Sequence, residues 1–167
     1  MSAFDLAIIA LGSNVGDSPG ILRRAIERLA EISVKPLVKS SLWQTTPVDC
    51  PPGSPPFVNA VVALTPSSDE TPESLLARLL ALEKEFGRRP KQVLNEPRRL
   101  DLDLIAFGSE TRLSPTLTLP HPRATERRFV LQPLSEIAPD LILPNQTRSV
   151  VQLLSQLASS EKLVRLA

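Results

Sequence analysis

The sequence has few of the residues that would indicate a disulfide-bonded or nucleic-acid-binding protein. Cys50 is its only cysteine, which excludes an internal disulfide and favours a reducing compartment. It has no tyrosine, one tryptophan and five phenylalanines, and its net charge is +1. Single-stranded nucleic acids are bound by stacked aromatic side chains and a basic groove, so a nucleic-acid-binding module is poorly supported. Because the net charge is so small, a positively charged binding site could only be a local cluster of basic residues.

Long hydrophobic runs are also missing. The apolar run Leu6–Leu11 is too short to span a bilayer and is not preceded by the basic segment of a signal peptide. The sequence contains no repeat or low-complexity tract, and its 17 prolines stand mainly at element edges and in doublets. We therefore expect a cytoplasmic protein without a membrane segment, folded as a single domain over residues 1–167.

The most informative stretch is residues 100–104, where leucine alternates with aspartate in the period of a β-strand. Asp101 and Asp103 should therefore point to one face and the leucines to the other. Carboxylate oxygens bind Mg²⁺, which completes its coordination shell with waters and substrate phosphates. A half-buried strand with a solvated acidic face would show the same alternation, so the pattern alone leaves both interpretations open.

Apolar periodicity predicts the other elements. The predicted strands are Leu6–Leu11 at the centre of the sheet, Leu37–Trp43, Phe57–Leu64, the aspartate strand and Leu141–Leu143, with a polar turn beginning at Gly12. Four helices are predicted. One begins at Ser18, and the others cover Thr71–Gly87, Phe129–Ile137 and Ser149–Leu157. The order strand, helix, strand, strand, helix, strand is typical of a ferredoxin-like α+β sandwich, with the helices on one face of a mostly antiparallel sheet.

Two polar residues have both a structural and a functional interpretation. Asn59 lies within an apolar strand, so its amide is either satisfied by neighbouring protein groups or is the polar anchor of a pocket. His121 is the only histidine and is followed by three nearby arginines, so it is either structural or a donor to phosphate. The residues alone leave both questions open.

Several ordered motifs resemble those of one enzyme family. They are Ala10–Asp17, Thr45–Val48, Phe57–Ala60, Pro97–Asp103, and Leu119–Pro122 followed by Glu126 and Arg127. The chain resembles 6-hydroxymethyl-7,8-dihydropterin pyrophosphokinase, an enzyme of folate biosynthesis. The Leu-Asp-Leu-Asp strand and the Pro-His-Pro segment are the most specific of these matches.

The resemblance implies that a pyrophosphate group is transferred from ATP to the hydroxymethyl oxygen of the pterin and that AMP is released. It implies that Asp101 and Asp103 bind two Mg²⁺ ions and that Arg88 and Arg98 are catalytic residues that stabilise the triphosphate charge. The implied ATP-binding residues are Glu83, Arg88, Arg98, Leu104, Thr118, His121 and Arg127.

The same resemblance implies a pterin pocket and two closing loops. The implied pocket residues are Thr45, Thr46, Val48, Phe57, Asn59 and Phe129. An amide such as Asn59 can both donate to and accept from a ring edge, and phenylalanines provide apolar walls. Residues 49–56 and 88–96 correspond to the loops that close over the nucleotide in the family.

The chain departs from the family pattern at three places. Many members have Arg-Trp-Gly where this chain has Leu94-Asn95-Glu96, a glutamine at the position of Leu80, and an arginine at that of Thr116. These differences affect the expected loop closure and ATP affinity.

We expect a monomer or a weak homo-oligomer that acts on small molecules and binds neither nucleic acid nor membrane. A second enzyme hypothesis is a kinase or nucleotidyl transferase for another substrate, which would release ADP or free pyrophosphate instead of AMP. The non-enzyme hypothesis is an RNA-binding module on the same type of sheet, which would need aromatic residues exposed on the strands.

Overall fold

The computed structural model describes residues 5–45, 55–87, 99–159 and 161–166. Within these ranges the strands are β1 Ala7–Ser13, β2 Val38–Lys39, β3 Trp43–Thr45, β4 Phe57–Leu64, β5 Asp101–Phe107, β6 Arg112–Leu113, β7 Thr118–Leu119 and β8 Leu163–Arg165. The helices are α1 Ser18–Ile32, α2 Pro72–Glu85, α3 Arg128–Ile137 and α4 Val150–Gln156. Among the described residues, no helix combines the length and apolarity needed to cross a membrane.

The main sheet has the strand order β5-β1-β4-β3-β8, and β2 also pairs with β4. All of these pairs are antiparallel. Helix α1 connects β1 to β3, which run parallel with β4 between them, and α2 connects β4 to β5, which run parallel with β1 between them. These two interleaved β-α-β units form a ferredoxin-like α+β sandwich, which confirms the predicted fold class and the central position of β1.

Alternate residues of the central strands are buried on opposite faces of the sheet. Alternate residues of β1, β4 and β5 pack beneath α1 and α2, and we call this side the α1–α2 face. The buried side chains on it include Ile9, Leu11, Leu22, Leu29, Val62, Leu79, Leu100, Leu102 and Leu104. The leucines of the aspartate strand therefore belong to the core, as their period-2 spacing predicted.

The opposite side of the sheet, which we call the α3 face, is also covered by helices. Ile8, Ala63 and Ile105 pack there against Val130 and Leu134 of α3, and α4 joins this second cluster through Val150. The expectation that the helices lie on one face is therefore wrong for α3 and α4. Both faces of the central strands are apolar, so both need a cover.

Helix α3 is fixed to the sheet by one acidic side chain. Glu136 accepts hydrogen bonds from the Ser41 backbone N–H at 3.1 Å and from the Trp43 indole Nε1 at 2.6 Å. The glutamate connects the helix to the segment that leads into β3. This contact fixes the position of the helix that carries Arg127 and Phe129 at its N-terminal end.

The predicted strand Leu37–Trp43 is interrupted and forms β2 and β3 instead. At the break, the Ser40 N–H donates to the Val61 carbonyl at 2.9 Å, and the Ser40 hydroxyl accepts from the Val61 N–H at 2.9 Å. A serine side chain therefore provides the acceptor that a strand carbonyl would normally provide. Sequence periodicity does not reveal this substitution.

The predicted strand Leu141–Leu143 is absent from the structure, which has a loop there. The Leu141 N–H donates to the Ala138 carbonyl at 3.2 Å, and the Leu141 carbonyl accepts from the Val150 N–H at 2.9 Å. Its backbone is thus bonded to the end of α3 and the start of α4, and Leu143 is buried as a loop residue. The C-terminal tail forms β8, which pairs with β3.

Candidate active site

Three adjacent strands place two polar residues on either side of a glycine. Gly12 of β1 is directly opposite Asn59 of β4 and directly opposite Asp101 of β5. Residues that are opposite one another point to the same face, and neighbouring strands are separated by about 4.8 Å, so the Cα atoms of Asn59 and Asp101 are separated by about 10 Å. Gly12 lies between them without a side chain, and the Asn59 amide nitrogen lies over it. We call the space between Asn59 and Asp101 above Gly12 the Gly12 slot.

The second aspartate lies one strand repeat further along the same face. Asp103 is opposite Ala10, another small residue, and both aspartates are half-buried. The prediction that Asp101 and Asp103 share a face is therefore confirmed. The strand positions beside the carboxylate pair are occupied by Gly12 and Ala10, two small residues.

Asn59 is fixed in orientation by a buried threonine. The Thr45 hydroxyl donates to Asn59 Oδ1 at 2.7 Å, and both residues are buried. The amide nitrogen Nδ2 is 3.1 Å from the position that a Cβ atom on Gly12 would occupy. The Asn59 amide thus has the protein partner that the structural interpretation requires, and its nitrogen also borders the slot.

Two phenylalanines and one arginine lie near the slot. The Phe57 Cδ1 atom is 3.7 Å from the same Cβ position on Gly12, so this ring borders the slot on the Asn59 side. Phe129 packs against the core of the α3 face. The Arg127 guanidinium carbon is 5.4 Å from the centroid of the Phe129 ring, which is a cation–π geometry.

His121 is held at the outer edge of β5. Its backbone N–H donates to the Ile105 carbonyl at 2.8 Å, and its ring Nδ1 accepts from the Arg123 N–H at 3.2 Å. Burial lowers the pKa of His121, and the charges of Arg127 and Arg123 lower it further, while Asp101 opposes them. The imidazole is therefore neutral at pH 7, with its proton on Nε2, and that nitrogen can donate a hydrogen bond.

Arg127 forms the N-cap position of α3 and is half-buried. Burial lowers its pKa, and Arg123 lowers it further, whereas Asp103, Asp101 and Glu161 raise it. The guanidinium remains charged at neutral pH because its ordinary pKa is far above 7. Arg127 is therefore a charged donor that is stabilised by both Asp101 and Asp103, and His121 is a neutral donor that is influenced by Asp101.

The structure gives the following surroundings for three residues that the resemblance assigns to ATP. Glu83 is buried on α2, and its Oε2 accepts the Leu102 backbone N–H at 2.7 Å. Leu104 is in the core of the α1–α2 face, on the other side of the sheet from Asp101 and Asp103. Thr118 is half-buried in the β6–β7 hairpin, opposite Leu113.

Four predicted site residues lie outside the described part of the chain: Arg88, Arg98, Thr46 and Val48. The same is true of the Leu94-Asn95-Glu96 departure and of the predicted closing loops, apart from Pro55 and Pro56. Of the other departures, Leu80 is 49% exposed on α2, and the Thr116 hydroxyl is 3.5 Å from that of Ser114.

Sequence reasoning missed the role of Gly12. Gly12 was predicted to begin a turn but belongs to β1, and the signal that could have identified its role is its register opposite Asn59 and Asp101. Arg123 was noted in the sequence only as one of three arginines near His121, and its effect on the pKa values of His121 and Arg127 arises from the path of the chain after β7.

The carboxylate pair is suitable for Mg²⁺ by the chemistry of its donors. Among the residues that the structure describes, no cluster of three or more His, Cys, Asp or Glu side chains could hold a metal ion. Mg²⁺ does not need such a cluster, because one or two carboxylates together with waters and substrate phosphates usually bind it. Asp101 and Asp103 provide those two carboxylates on one face.

The fold and the site together define an α+β transferase of phosphate-containing groups, with paired carboxylates next to an arginine and a neutral histidine. A family model described as 7,8-dihydro-6-hydroxymethylpterin-pyrophosphokinase matches residues 8–139. The chain belongs to this family. It is therefore an enzyme of folate biosynthesis that transfers pyrophosphate to hydroxymethyldihydropterin, with ATP as its co-substrate.

Individual proteins agree with this assignment. A 2-amino-4-hydroxy-6-hydroxymethyldihydropteridine pyrophosphokinase of Synechocystis is 39% identical over 150 residues, which cover 90% of this chain and 75% of that protein. The enzyme of that name from Haemophilus influenzae is 37% identical over 161 residues, which cover 96% and 97% of the two chains. The crystal structure of Plasmodium falciparum HPPK-DHPS wild type with pteroate matches with a TM-score of 0.69 and 14% identity. That match covers 90% of this chain but only 42% of the solved chain, and it concerns the fold alone.

Proposed function

We propose that the Gly12 slot binds the pterin ring and that ATP binds beside Asp101 and Asp103, so that pyrophosphate transfer releases AMP. The observation that carries this proposal is the row Asn59, Gly12, Asp101 across three strands. A row of this kind can hold a flat substrate between a hydrogen-bonding amide at one end and a carboxylate at the other. The ring would lie beside the Asn59 amide and the Phe57 ring, the two groups that a side chain at position 12 would meet.

The Asn59 end of the slot suits the amide-like edge of a pterin. Because Thr45 holds Oδ1 by a 2.7 Å hydrogen bond, the orientation of the Asn59 amide is set before the substrate arrives. Nδ2 can then donate to a ring acceptor, while the second lone pair of Oδ1 remains available to a ring N–H. Phe57 and Phe129 provide the apolar walls, and Thr46 and Val48 complete the proposed pocket.

Asp101 and Asp103 would hold two Mg²⁺ ions, and these ions, when bound, would neutralise triphosphate charge and acidify the attacking hydroxyl. The two side chains point to one face of the sheet, so both could turn toward the substrates. This arrangement would place the pterin hydroxymethyl group, at the Asp101 end of the slot, next to the phosphates of ATP.

The cationic and neutral donors would orient and stabilise the phosphates. Arg127 would contact phosphate oxygens through its planar guanidinium, and neutral His121 would donate from Nε2. Arg88 and Arg98 are proposed to stabilise the charge that develops during transfer, and Glu83, Leu104 and Thr118 to border the nucleotide. Leu104 would border the nucleotide through its backbone, because its side chain is in the core.

In the proposed reaction the hydroxymethyl oxygen attacks the β-phosphorus of ATP. A bond forms between this oxygen and the β-phosphorus. The bond from the β-phosphorus to the oxygen that bridges it to the α-phosphorus breaks, and AMP leaves with that bridging oxygen. The hydroxyl proton passes to water. No covalent bond to the protein forms, so the contribution of the chain is alignment and charge stabilisation.

The test is to mix the protein with ATP, Mg²⁺ and hydroxymethyldihydropterin and to identify the nucleotide product. We expect AMP, whereas ADP or free pyrophosphate would support the alternative kinase or nucleotidyl transferase. Asp101→Asn and Asp103→Asn should each lower kcat/KM by about a hundredfold or more, because losing a metal ligand costs several kcal/mol of transition-state stabilisation.

The matched control is Asp69→Asn, which removes an exposed carboxylate in the turn before α2. It should leave the rate within about twofold, as is usual for surface substitutions. A rate within about threefold of the wild type in both Asp101→Asn and Asp103→Asn would contradict the proposed metal role.

We further propose that residues 1–167 act as one domain in the cytoplasm, as a monomer or a weak homo-oligomer. The single cysteine and the small net charge support this proposal. Sedimentation at several protein concentrations would test the oligomeric state, and a stable dimer at the lowest concentration would contradict it.

A further inference from the structure

The C-terminal strand β8 lies along the edge of β3, the strand that carries Thr45. The pairing is antiparallel and places Leu163 directly opposite Thr45. On its other side β3 pairs with β4, where Thr45 is opposite Phe57, and Asn59 follows Phe57 by one strand repeat. Opposite residues share a face, so Leu163 lies on the face of the sheet that carries Thr45, Phe57 and Asn59. Strand β8 lies outside the matched family segment, residues 8–139, so the family match assigns no role to it.

The pairing between β8 and β3 brings the side chains of Leu163 and Thr45 close together. The Leu166 N–H donates to the Leu42 carbonyl at 2.8 Å, and these two residues are the next pair in the same register. Hydrogen-bonded and non-hydrogen-bonded pairs alternate along an antiparallel ladder, so Leu163 and Thr45, three positions from that pair, form a non-hydrogen-bonded pair. The Cα atoms of such a pair are about 4.5 Å apart, and their side chains are closer than in a hydrogen-bonded pair. The Leu163 side chain therefore lies directly beside that of Thr45.

Leu163 packs in neither hydrophobic core of the described chain. It is half-buried, and the two apolar clusters formed by the described residues do not include it. Leu166, on the other face of the same segment, does pack against the cluster of the α1–α2 face. Thr45, however, is only 3% exposed. Leu163 thus separates Thr45 from solvent at the outer side of β3, which would be the edge of the sheet without β8.

The Thr45 hydroxyl determines which end of the Asn59 amide can meet a ligand. It donates to Asn59 Oδ1 at 2.7 Å, which leaves Nδ2 beside Gly12. A water molecule at the outer side of β3 would compete with this hydrogen bond, because water both donates to amide oxygens and accepts from hydroxyls. An amide turned by half a rotation exchanges its donor and its acceptor, and would then present the wrong pattern to a ring edge.

We propose that Leu163 is a positioning residue for the pterin. Its side chain excludes water from the hydrogen bond between Thr45 and Asn59 and thereby keeps the amide in the orientation that the pterin edge requires. The inference rests on the proposed pterin site, in which Asn59 contacts the ring. Leu163 acts on the ring only through Thr45 and Asn59.

The test compares Leu163→Ala with the wild type by steady-state kinetics and by calorimetric binding of the pterin in the presence of a non-hydrolysable ATP analogue and Mg²⁺. We expect the KM and the Kd for the pterin to rise about five- to tenfold, because water then reaches the Thr45 hydroxyl, while the KM for ATP stays within about twofold. Leu163→Met, which keeps an apolar side chain of similar volume, should restore the wild-type values. A purely structural role would change both KM values together, or neither, and would overturn the inference.

The matched control is Val164→Ala, which shortens the adjacent residue of β8 on the opposite face, where it is 62% exposed. It should leave the KM for the pterin unchanged. A rise similar to that of Leu163→Ala would show that any loosening of the tail weakens pterin binding, and would overturn the specific role of Leu163.

A double-mutant cycle with Thr45→Val shows whether Leu163 acts through the hydrogen bond. Valine keeps the shape of threonine and removes the hydroxyl. Leu163→Ala should add little in that background, and an equal effect in both backgrounds would overturn the inference.

Asn59→Ala tests the pterin site itself. If this variant binds the pterin weakly while Leu163→Ala binds it as the wild type does, only the inference about Leu163 fails. Normal binding by Asn59→Ala would overturn the proposed pterin site as well.

Discussion

At the scale of single residues, His121 shows how neighbouring charges determine a chemical role. Its ring accepts from the Arg123 N–H through Nδ1, so the neutral tautomer carries its proton on Nε2. Burial and the charges of Arg127 and Arg123 favour this neutral form. A donor without charge can approach phosphate without adding to the repulsion between the cations around it.

This argument predicts a pKa for His121 below its ordinary value of 6.5. The sequence contains one histidine, so its ring protons can be followed by NMR across a pH titration without assignment of other histidines. Arg127→Gln should raise the pKa, because it removes a nearby positive charge. A titration midpoint at or above 6.5 in the wild type would contradict the burial and charge arguments together.

The same shift has a consequence for stability. Because its pKa is lower in the folded state, His121 binds fewer protons there than in the unfolded chain. Its contribution to stability is therefore present above pH 6.5 and is lost as the pH falls through the lowered value. ATP phosphates favour the protonated ring, so bound ATP should move the midpoint upward.

At the scale of elements, the outer edge of β5 is protected by a side chain from α2. The edge strand of a sheet presents unpaired N–H groups, and Glu83 accepts that of Leu102 at 2.7 Å from a buried position. The family resemblance assigns Glu83 to the nucleotide site, and in the structure this residue also bonds to the backbone of the aspartate strand. The contact holds the strand that carries Asp101 and Asp103.

We predict that Glu83→Ala lowers the free energy of unfolding by about 1–3 kcal/mol, because it leaves a buried N–H without its acceptor. Glu83→Gln should lower it less, since an amide oxygen can still accept. Urea unfolding monitored by circular dichroism measures both. The control Glu27→Ala, at an exposed position of α1, should stay within about 0.5 kcal/mol of the wild type.

The sequence predicted most elements correctly because their core faces follow simple periods. The pattern of residues 100–104 placed both aspartates on one face, and the helical spacing of Leu75, Leu79 and Leu82 gave the buried stripe of α2. The prediction failed where a backbone N–H or C=O group bonds to something other than an adjacent strand. The Ser40 hydroxyl splits a predicted strand, and Leu141 bonds to helix ends instead of a strand.

The candidate site could be predicted only in part, for a related reason. Asp101 and Asn59 are conspicuous in the sequence because each is a polar residue within an apolar strand. His121 is conspicuous because it is the only histidine and stands near several arginines. Gly12 acquires its role from the register of three strands. Register is a long-range property that no local pattern contains.

At the scale of the whole molecule, the two faces of the sheet have different roles. The α1–α2 face is a continuous apolar core beneath two long helices. The α3 face is apolar in its middle, but at the end of β1 it carries Gly12, which lies between Asn59 and Asp101 of the candidate site. The ligand would therefore contact strands from the centre of the fold, so its binding energy should stabilise the molecule as a unit.

We predict that ATP with Mg²⁺ raises the melting temperature, and that this rise depends on the carboxylate pair. At a ligand concentration of about 100 times Kd the added stability is about 2.7 kcal/mol. For a chain of this size it corresponds to a rise of roughly 5–10 °C. Scanning fluorimetry or calorimetry would measure it, with ATP plus EDTA as the metal-free reference.

The Asp101→Asn/Asp103→Asn double variant should melt near the wild-type temperature without ligand, because it removes two neighbouring like charges and keeps the side-chain size. With ATP and Mg²⁺ its rise should fall to that of the wild type with EDTA, since the proposed metal ligands are gone. A full rise in the double variant would mean that the metal-dependent affinity resides elsewhere, and the assignment of Asp101 and Asp103 as the metal ligands would then be wrong.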